Sequence, residues 1–295
     1  MRRLLAVLLA VGAVAGVTVA VAAQRSDDSG QAPAARPRTP RSQTLPAPDA
    51  ALPRTPGLLA AALTATTRRL HDAVRRWGAA GAVPVDVTYL ALYHQRMLRL
   101  MTARRALGDA TLMRLPGDVR GEARDTVIGR RHLAAIPRSP GRLPPVRVTN
   151  AAPAAELRRD YATAQRRFGV PWSILAAINF VESSFGRVRS ASEAGARGPM
   201  QFLPSTWRRY GMRGDIDDPH DAILAAANYL HHAGAPHDID RALFAYNHST
   251  SYVLAIRRFA GRMRADERTF LAYYAWQVFV RTRHGVRRLT GPGRD

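Results

Sequence analysis

Val181-Glu182-Ser183-Ser184-Phe185, then Gly198-Pro199-Met200-Gln201-Phe202, then Ala245-Tyr246-Asn247 stand in that order along the chain, and the segment leading into the first of them decides the fold. Entered through Pro171, residues 171–185 put Leu175, Ile178, Glu182 and Phe185 at spacings of three, four and three, which is one face of a helix. Glu182 therefore interrupts an apolar stripe. A carboxyl held there loses hydration, which raises its pKa and keeps a proton available near neutral pH, as a general acid requires.

Outward from this segment the pattern remains helical. Residues 154–168 form an amphipathic stripe, and 204–210, 220–233, 239–246, 251–261 and 265–281 are predicted as further helices around the one bearing Glu182. The last carries Phe270, Leu271, Tyr273, Tyr274, Trp276, Val278 and Phe279. Gln277 and its modest length favour a core helix over a membrane span. Upstream, 58–77, 85–107 and 119–135 read as helices, the second with a Tyr89, Leu92, Tyr93, Met97, Leu100 and Met101 stripe of the kind that fills a core. No repeat and no strand alternation stands out, so the predicted class is mainly α.

Composition divides the chain. Arg2-Arg3 precede an uncharged run, 4–23, with a small-x-small site at Ala20-Val21-Ala22, which reads equally as a cleaved signal peptide (1–23) or a retained signal-anchor. Either sends the remainder out of the cytoplasm. Residues 24–57, rich in Pro, Ala, Arg and Ser, read as a disordered linker. Residues 58–137 read as a helical accessory region that either stands apart or packs directly on the catalytic domain. The Pro/Gly-dense 138–153 is the expected boundary, 154–285 the catalytic domain and 286–295 a basic tail. Every motif lies beyond Ala155, so a chain beginning near Ala151 is expected to keep some activity.

The formal net charge is +22, carried entirely by Arg with no Lys. Such charge suits nucleic acid, anionic lipid or an acidic wall polymer. The Arg pairs are scattered, from Arg68-Arg69 to Arg287-Arg288, and no helix-turn-helix, zinc-ligand or aromatic RNA-binding signature focuses them, which speaks against specific nucleic-acid binding. Cysteine is absent, so no disulfide framework exists. His231-His232 and His237 lack a metalloprotease spacing, and the turn Gly214-Asp215-Ile216-Asp217-Asp218 lacks the central Gly and terminal Glu of an EF-hand. Neither a metal nor another cofactor is expected.

At its three islands the chain resembles the lysozyme-like lytic transglycosylases, the soluble-type and membrane-bound murein transglycosylases whose catalytic domain is similar to goose-type lysozyme. Glu182-Ser183 matches the family's catalytic motif. Residues 195–207, Gly195 to Trp207, resemble its Gly-Ala-x-Gly-Leu-Met-Gln loop with the usual Pro and Thr after it, and Ala245-Tyr246-Asn247 matches the third motif. The resemblance covers roughly 155–260. Pro199 stands where soluble-type members usually carry Leu, and 201–210 leans toward the membrane-bound subfamily.

The resemblance implies cleavage of the β-1,4 bond between N-acetylmuramic acid and N-acetylglucosamine in peptidoglycan. Glycoside hydrolysis ordinarily takes two carboxylates, yet only Glu182 is well placed. Glu193 comes too soon in a small-residue loop, and Asp215, Asp217, Asp218 and Asp221 sit in a turn suited to capping the next helix. A lytic mechanism needs only one: in the family, Glu182 protonates the leaving oxygen, then takes the proton of the muramic C6 hydroxyl as that oxygen attacks the anomeric carbon, leaving a 1,6-anhydro sugar. Ser183 and Tyr246 would hydrogen-bond the carboxyl or the cleaved sugar, Gln201 and Asn247 would orient acetamido groups, and Phe202 and Tyr210 would pack against sugar rings, with Met200 beside them. A hydrolytic muramidase using the same Glu182, a non-catalytic wall-binding protein and a nucleic-acid binder are the alternatives. The expected partners are peptidoglycan strands, with anionic wall polymers or the membrane surface, in the extracytoplasmic envelope.

Overall fold

Proline and glycine punctuate most of the helices in the computed structural model, which describes residues 44–137, 146–282 and 285–293. The apolar segment 4–23 and the first part of the Pro-rich segment lie outside the described residues. Helix α1 (Pro56–Trp77) opens on Pro56, whose missing N–H falls where a helix needs none, and closes on Gly78 in the left-handed region at φ 58°. Helices α2 (Val85–Ala103), α3 (Arg105–Arg114) and α4 (Gly117–Ala135) come next. Then come α5 (Ala154–Phe168), α6 (Trp172–Ser183), α7 (Pro204–Tyr210), α8 (Pro219–His232), α9 (Ile239–Tyr246), α10 (Thr250–Ala265) and α11 (Glu267–Tyr274). Asp218, Asp238, Ser249 and Asp266 cap α8, α9, α10 and α11 by accepting main-chain N–H groups. The polar turn before α8 is therefore a capping turn, with Asp221 also accepting from the Asp215 amide at 2.8 Å.

Helix α6 is the axis. It is apolar on nearly every side and buried from Ser173 to Asn179 and from Val181 to Ser183, as a helix hydrophobic all round must be. Helices α5, α8, α10 and α11 pack around it. An aromatic cluster closes its C-terminal end, with Phe180 stacked on Tyr273 at 5.0 Å between centroids and edge-on to Phe259 at 5.2 Å.

Helices α1 to α4 pack directly on this assembly. One continuous core joins Leu63, Leu70, Met97 and Val127 to Leu175, Ile256 and Phe270. Helices α4 and α10 cross closely at Gly129, where an added Cβ would stand 3.0 Å from the Phe259 ring. Asp125 of α4 pairs with Arg258 and Arg262 of α10 at 2.7 and 2.9 Å. Of the two arrangements open for the accessory helices, packing against the catalytic helices is the one observed. The residues expected to link them also have partners: the Thr149 amide donates to the Arg187 carbonyl at 2.8 Å, and the Tyr274 hydroxyl donates to the Ala152 carbonyl at 2.9 Å. Within the Pro-rich segment, the Pro48 carbonyl accepts from Arg96 at 3.0 Å.

Three local expectations are corrected. The chain does not run as one helix over 85–107. It breaks at Arg104, and α3 folds back so closely that a Cβ on Gly108 would lie 2.2 Å from the Met101 carbonyl oxygen. The helix predicted over 265–281 stops at Tyr274. Beyond it Gln95 of α2 holds the main chain of Gln277 at both its N–H (2.9 Å) and its C=O (2.8 Å), which draws the backbone out of the helical pattern. Strands β1 (Phe279–Thr282) and β2 (Gly285–Arg288) then pair antiparallel, Phe279 opposite Arg288, with Val278 and Val280 buried against Val188. The residues read as a basic tail thus begin inside a strand. Finally, α6 ends at Ser183, two residues short of Phe185, because Ser184 and Phe185 both take positive φ.

Candidate active site

Glu182 lies in the last turn of α6, 4% exposed. Its Oε1 accepts a hydrogen bond of 2.8 Å from the hydroxyl of Tyr252, a fully buried residue in the first turn of α10. Burial raises the carboxyl pKa from 4.5 to about 7, and the Tyr252 hydrogen bond, which favours the charged form, offsets part of that rise. Among the described residues no carboxylate contributes to this shift. A second acid at the roughly 5–5.5 Å used by retaining glycosidases would push the value up by repulsion. Burial and the charge of Glu182 raise the Tyr246 and Tyr252 hydroxyls well above their ordinary value, so both remain protonated donors.

The Gly-rich loop is held beside Glu182 by two hydroxyls. Residues 197–202 form a tight turn in which Arg197 and Phe202 exchange main-chain hydrogen bonds of 2.8 and 2.9 Å. Gly198 is required there: its φ is 75°, and a Cβ would lie 1.9 Å from the Ile216 carbonyl oxygen. Ser183 Oγ donates to the Pro199 carbonyl, and Tyr246 donates to the next carbonyl, that of Met200, at 2.6 Å. Ser183 Oγ also accepts from the Gly186 amide at 2.8 Å and approaches Asn179 Oδ1 at 3.1 Å, while Asn179 Nδ2 donates to Tyr161 at 2.8 Å. A buried polar chain thus runs from α5 through α6 into the loop. Pro199 fits because the loop uses its carbonyl and needs no N–H from it.

The other residues singled out in the sequence fall into two groups. Met200 and Phe202 are buried; the Phe202 ring meets Trp207 edge-on at 5.4 Å and Tyr246 at 6.0 Å and has no free face. Half-buried Tyr210, Tyr229 and Tyr246 form a row, with centroids 4.8 and 5.7 Å apart. Gln201, at a strained φ of 50°, turns its amide back to the Gly198 carbonyl at 3.1 Å. Asn247 is buried, and its Nδ2 has no acceptor among the described residues. Tyr252 escapes the sequence reading; the only hint of it is its place just after the Ser249 cap, six residues beyond Tyr246.

Residues 161–267 match the family described as Transglycosylase SLT domain. Over that stretch the chain is similar to a transglycosylase SLT domain. The match runs from Tyr161, beneath the loop, to the start of α11, so it takes in Glu182, the Gly-rich loop, Tyr246 and Tyr252. The chain is also similar to membrane-bound lytic murein transglycosylase F of Thiobacillus denitrificans, at 30% identity over 142 residues, 45% of this chain and 27% of that protein. A second relative, membrane-bound lytic murein transglycosylase F 1 of Alkalilimnicola ehrlichii, is 30% identical over 148 residues, 44% of this chain and 29% of its own length. The chain thus spans less than a third of the length of these relatives. No solved structure matches it. The matched stretch takes in α6 to α10, whereas α1 to α4 precede it. Among the described residues no helix is long and apolar enough to cross a membrane.

Proposed function

We propose that this chain cleaves the glycan strand of peptidoglycan between N-acetylmuramic acid and N-acetylglucosamine without water, leaving a 1,6-anhydromuramic end. The observation that carries the proposal is the buried carboxyl of Glu182, poised near pH 7 with no second carboxylate among the described residues acting on it. An acid of that pKa serves both halves of the reaction: protonated, it donates to the leaving glycosidic oxygen; ionised, it accepts the C6 hydroxyl proton as that oxygen closes on the anomeric carbon. The proton balance is zero, so one residue suffices. Tyr252 holds Oε1 and steadies the ionised form between the steps. The buried Asn247 amide and the half-buried rings of Tyr210 and Tyr229 suit acetamido and sugar-ring contacts, and Ser183 and Tyr246 act by fixing the loop rather than by touching the sugar.

The names of the two relatives support a murein substrate and a place in the cell envelope. The uncharged N-terminal run is the feature that would take the chain there. Mass spectrometry of fragments released from purified peptidoglycan tests the proposal. Anhydro-ended fragments, lost with Glu182→Gln, are expected. Reducing ends would mean that water is the nucleophile, and equal release by Glu182→Gln would remove Glu182 from the mechanism.

A further inference from the structure

Behind the Glu182 helix the fold buries one guanidinium group, Arg130, and half-buries another, Arg99, and no carboxylate among the described residues neutralises either. A cavity of about 70 Å3 lies among α2, α4, α6, α10 and β1, with Arg99, Arg130, Phe180, Ser184, Trp276 and Phe279 in its wall. Arg130 is 7% exposed, and its Nε and Nη2 have no hydrogen-bond partner among the described residues. Burial lowers the pKa of Arg130 to about 10, and burial together with the charge of Arg130 lowers that of Arg99 to about 9. Both remain cationic at neutral pH, and among the described residues no carboxylate acts on either. Among the described residues their charge-directed contacts are aromatic, Arg99 over Phe279 at 4.1 Å and Arg130 over Trp276 at 5.6 Å. Elsewhere on α4 the fold behaves differently, pairing Asp125 with two arginines.

Two like charges brought together in a half-enclosed apolar space are costly unless an anion joins them. We propose that this cavity is a binding site for a small oxyanion, a carboxylate or phosphate group held by Arg130 and Arg99. Guanidinium forks match both geometries. The volume is several times the roughly 10–15 Å3 that one water needs, enough for such a group. Phe180, Trp276 and Phe279 would take an apolar body attached to the anion. Glu182 lies about 200° around α6 from Phe180, so the occupant sits against the back of the helix that carries the carboxyl.

The test is a thermal-shift and calorimetric titration of the full chain with inorganic phosphate and, separately, acetate, at fixed ionic strength because a net charge of +22 attracts anions indiscriminately. Saturable one-site stabilisation by one or both anions is expected, the effective anion identifying the group. Affinity should fall at least about tenfold in Arg130→Gln and Arg99→Gln and stay unchanged in Arg208→Gln, an exposed site on α7. Arg130→Met guards against a folding defect. Removing an unpaired buried charge should leave it at least as stable as the parent in anion-free buffer, while its response to the anion disappears. A response that is unsaturable, or equal in Arg130→Met and the parent, would overturn the proposal.

Discussion

Substituting Glu182 by Gln removes one ionisation and little else, so the pH dependence of the change in stability isolates the buried carboxyl. The group ionises at about 7 in the folded chain against 4.5 in an exposed one. That difference corresponds to about 3 kcal/mol. Because the folded value is the raised one, the stabilisation is fully present below pH 4.5 and is lost as pH rises through about 7. Gln cannot ionise. Relative to the parent, Glu182→Gln should therefore gain about 3 kcal/mol of stability between pH 4.5 and pH 8, while every other titration cancels in the comparison. Urea unfolding of both proteins at a series of pH values measures it. A stability difference that is flat across this window would show that Glu182 is solvated or paired in the folded chain, and it would then lack the pKa that a single acid/base requires.

Removing the Tyr252 hydroxyl with Tyr252→Phe takes away the interaction that favours the ionised carboxyl. The alkaline limb of the rate profile on peptidoglycan should then move up by about 1 pH unit; a limb that stays or moves down contradicts the assignment. Gly198→Ala forces a Cβ against the Ile216 carbonyl and should cost at least about 1–3 kcal/mol in urea unfolding as the loop shifts off Ser183 and Tyr246. An unchanged midpoint would show that the turn is not constrained as described. A chain beginning at Ala151 loses α1 to α4 and exposes the faces of α10 and α11 that they cover, so it should aggregate or lack a cooperative thermal transition. Soluble, cooperative folding of that fragment would mean the shared core is dispensable.

The catalytic helix and its carboxyl are legible in the sequence because the signal is local. A period of three and four residues puts Glu182 in an apolar stripe, and the Asp-rich turn with Asp218 marks the start of α8 within a few positions. The helical class comes from the same periodicity. Misreadings arise where a distant group decides. The main chain of Gln277 leaves the helical pattern because Gln95, 182 residues earlier, holds both its polar groups. Arg104 breaks a helix so that Gly108 can meet Met101.

Within the site, the sequence by itself determined which residue types are present and in what order: one carboxyl, a Gly-rich loop, and hydroxyls at Ser183 and Tyr246. Tertiary structure alone decided their roles. Ser183 is next to Glu182 in the chain, yet a helix turns successive side chains about 100° apart, so its hydroxyl holds the Pro199 carbonyl. Tyr252 is 70 residues away and holds the carboxyl. The joining of the N-terminal helices to the catalytic ones was equally out of reach, because an apolar stripe says that a face is buried and does not say against what.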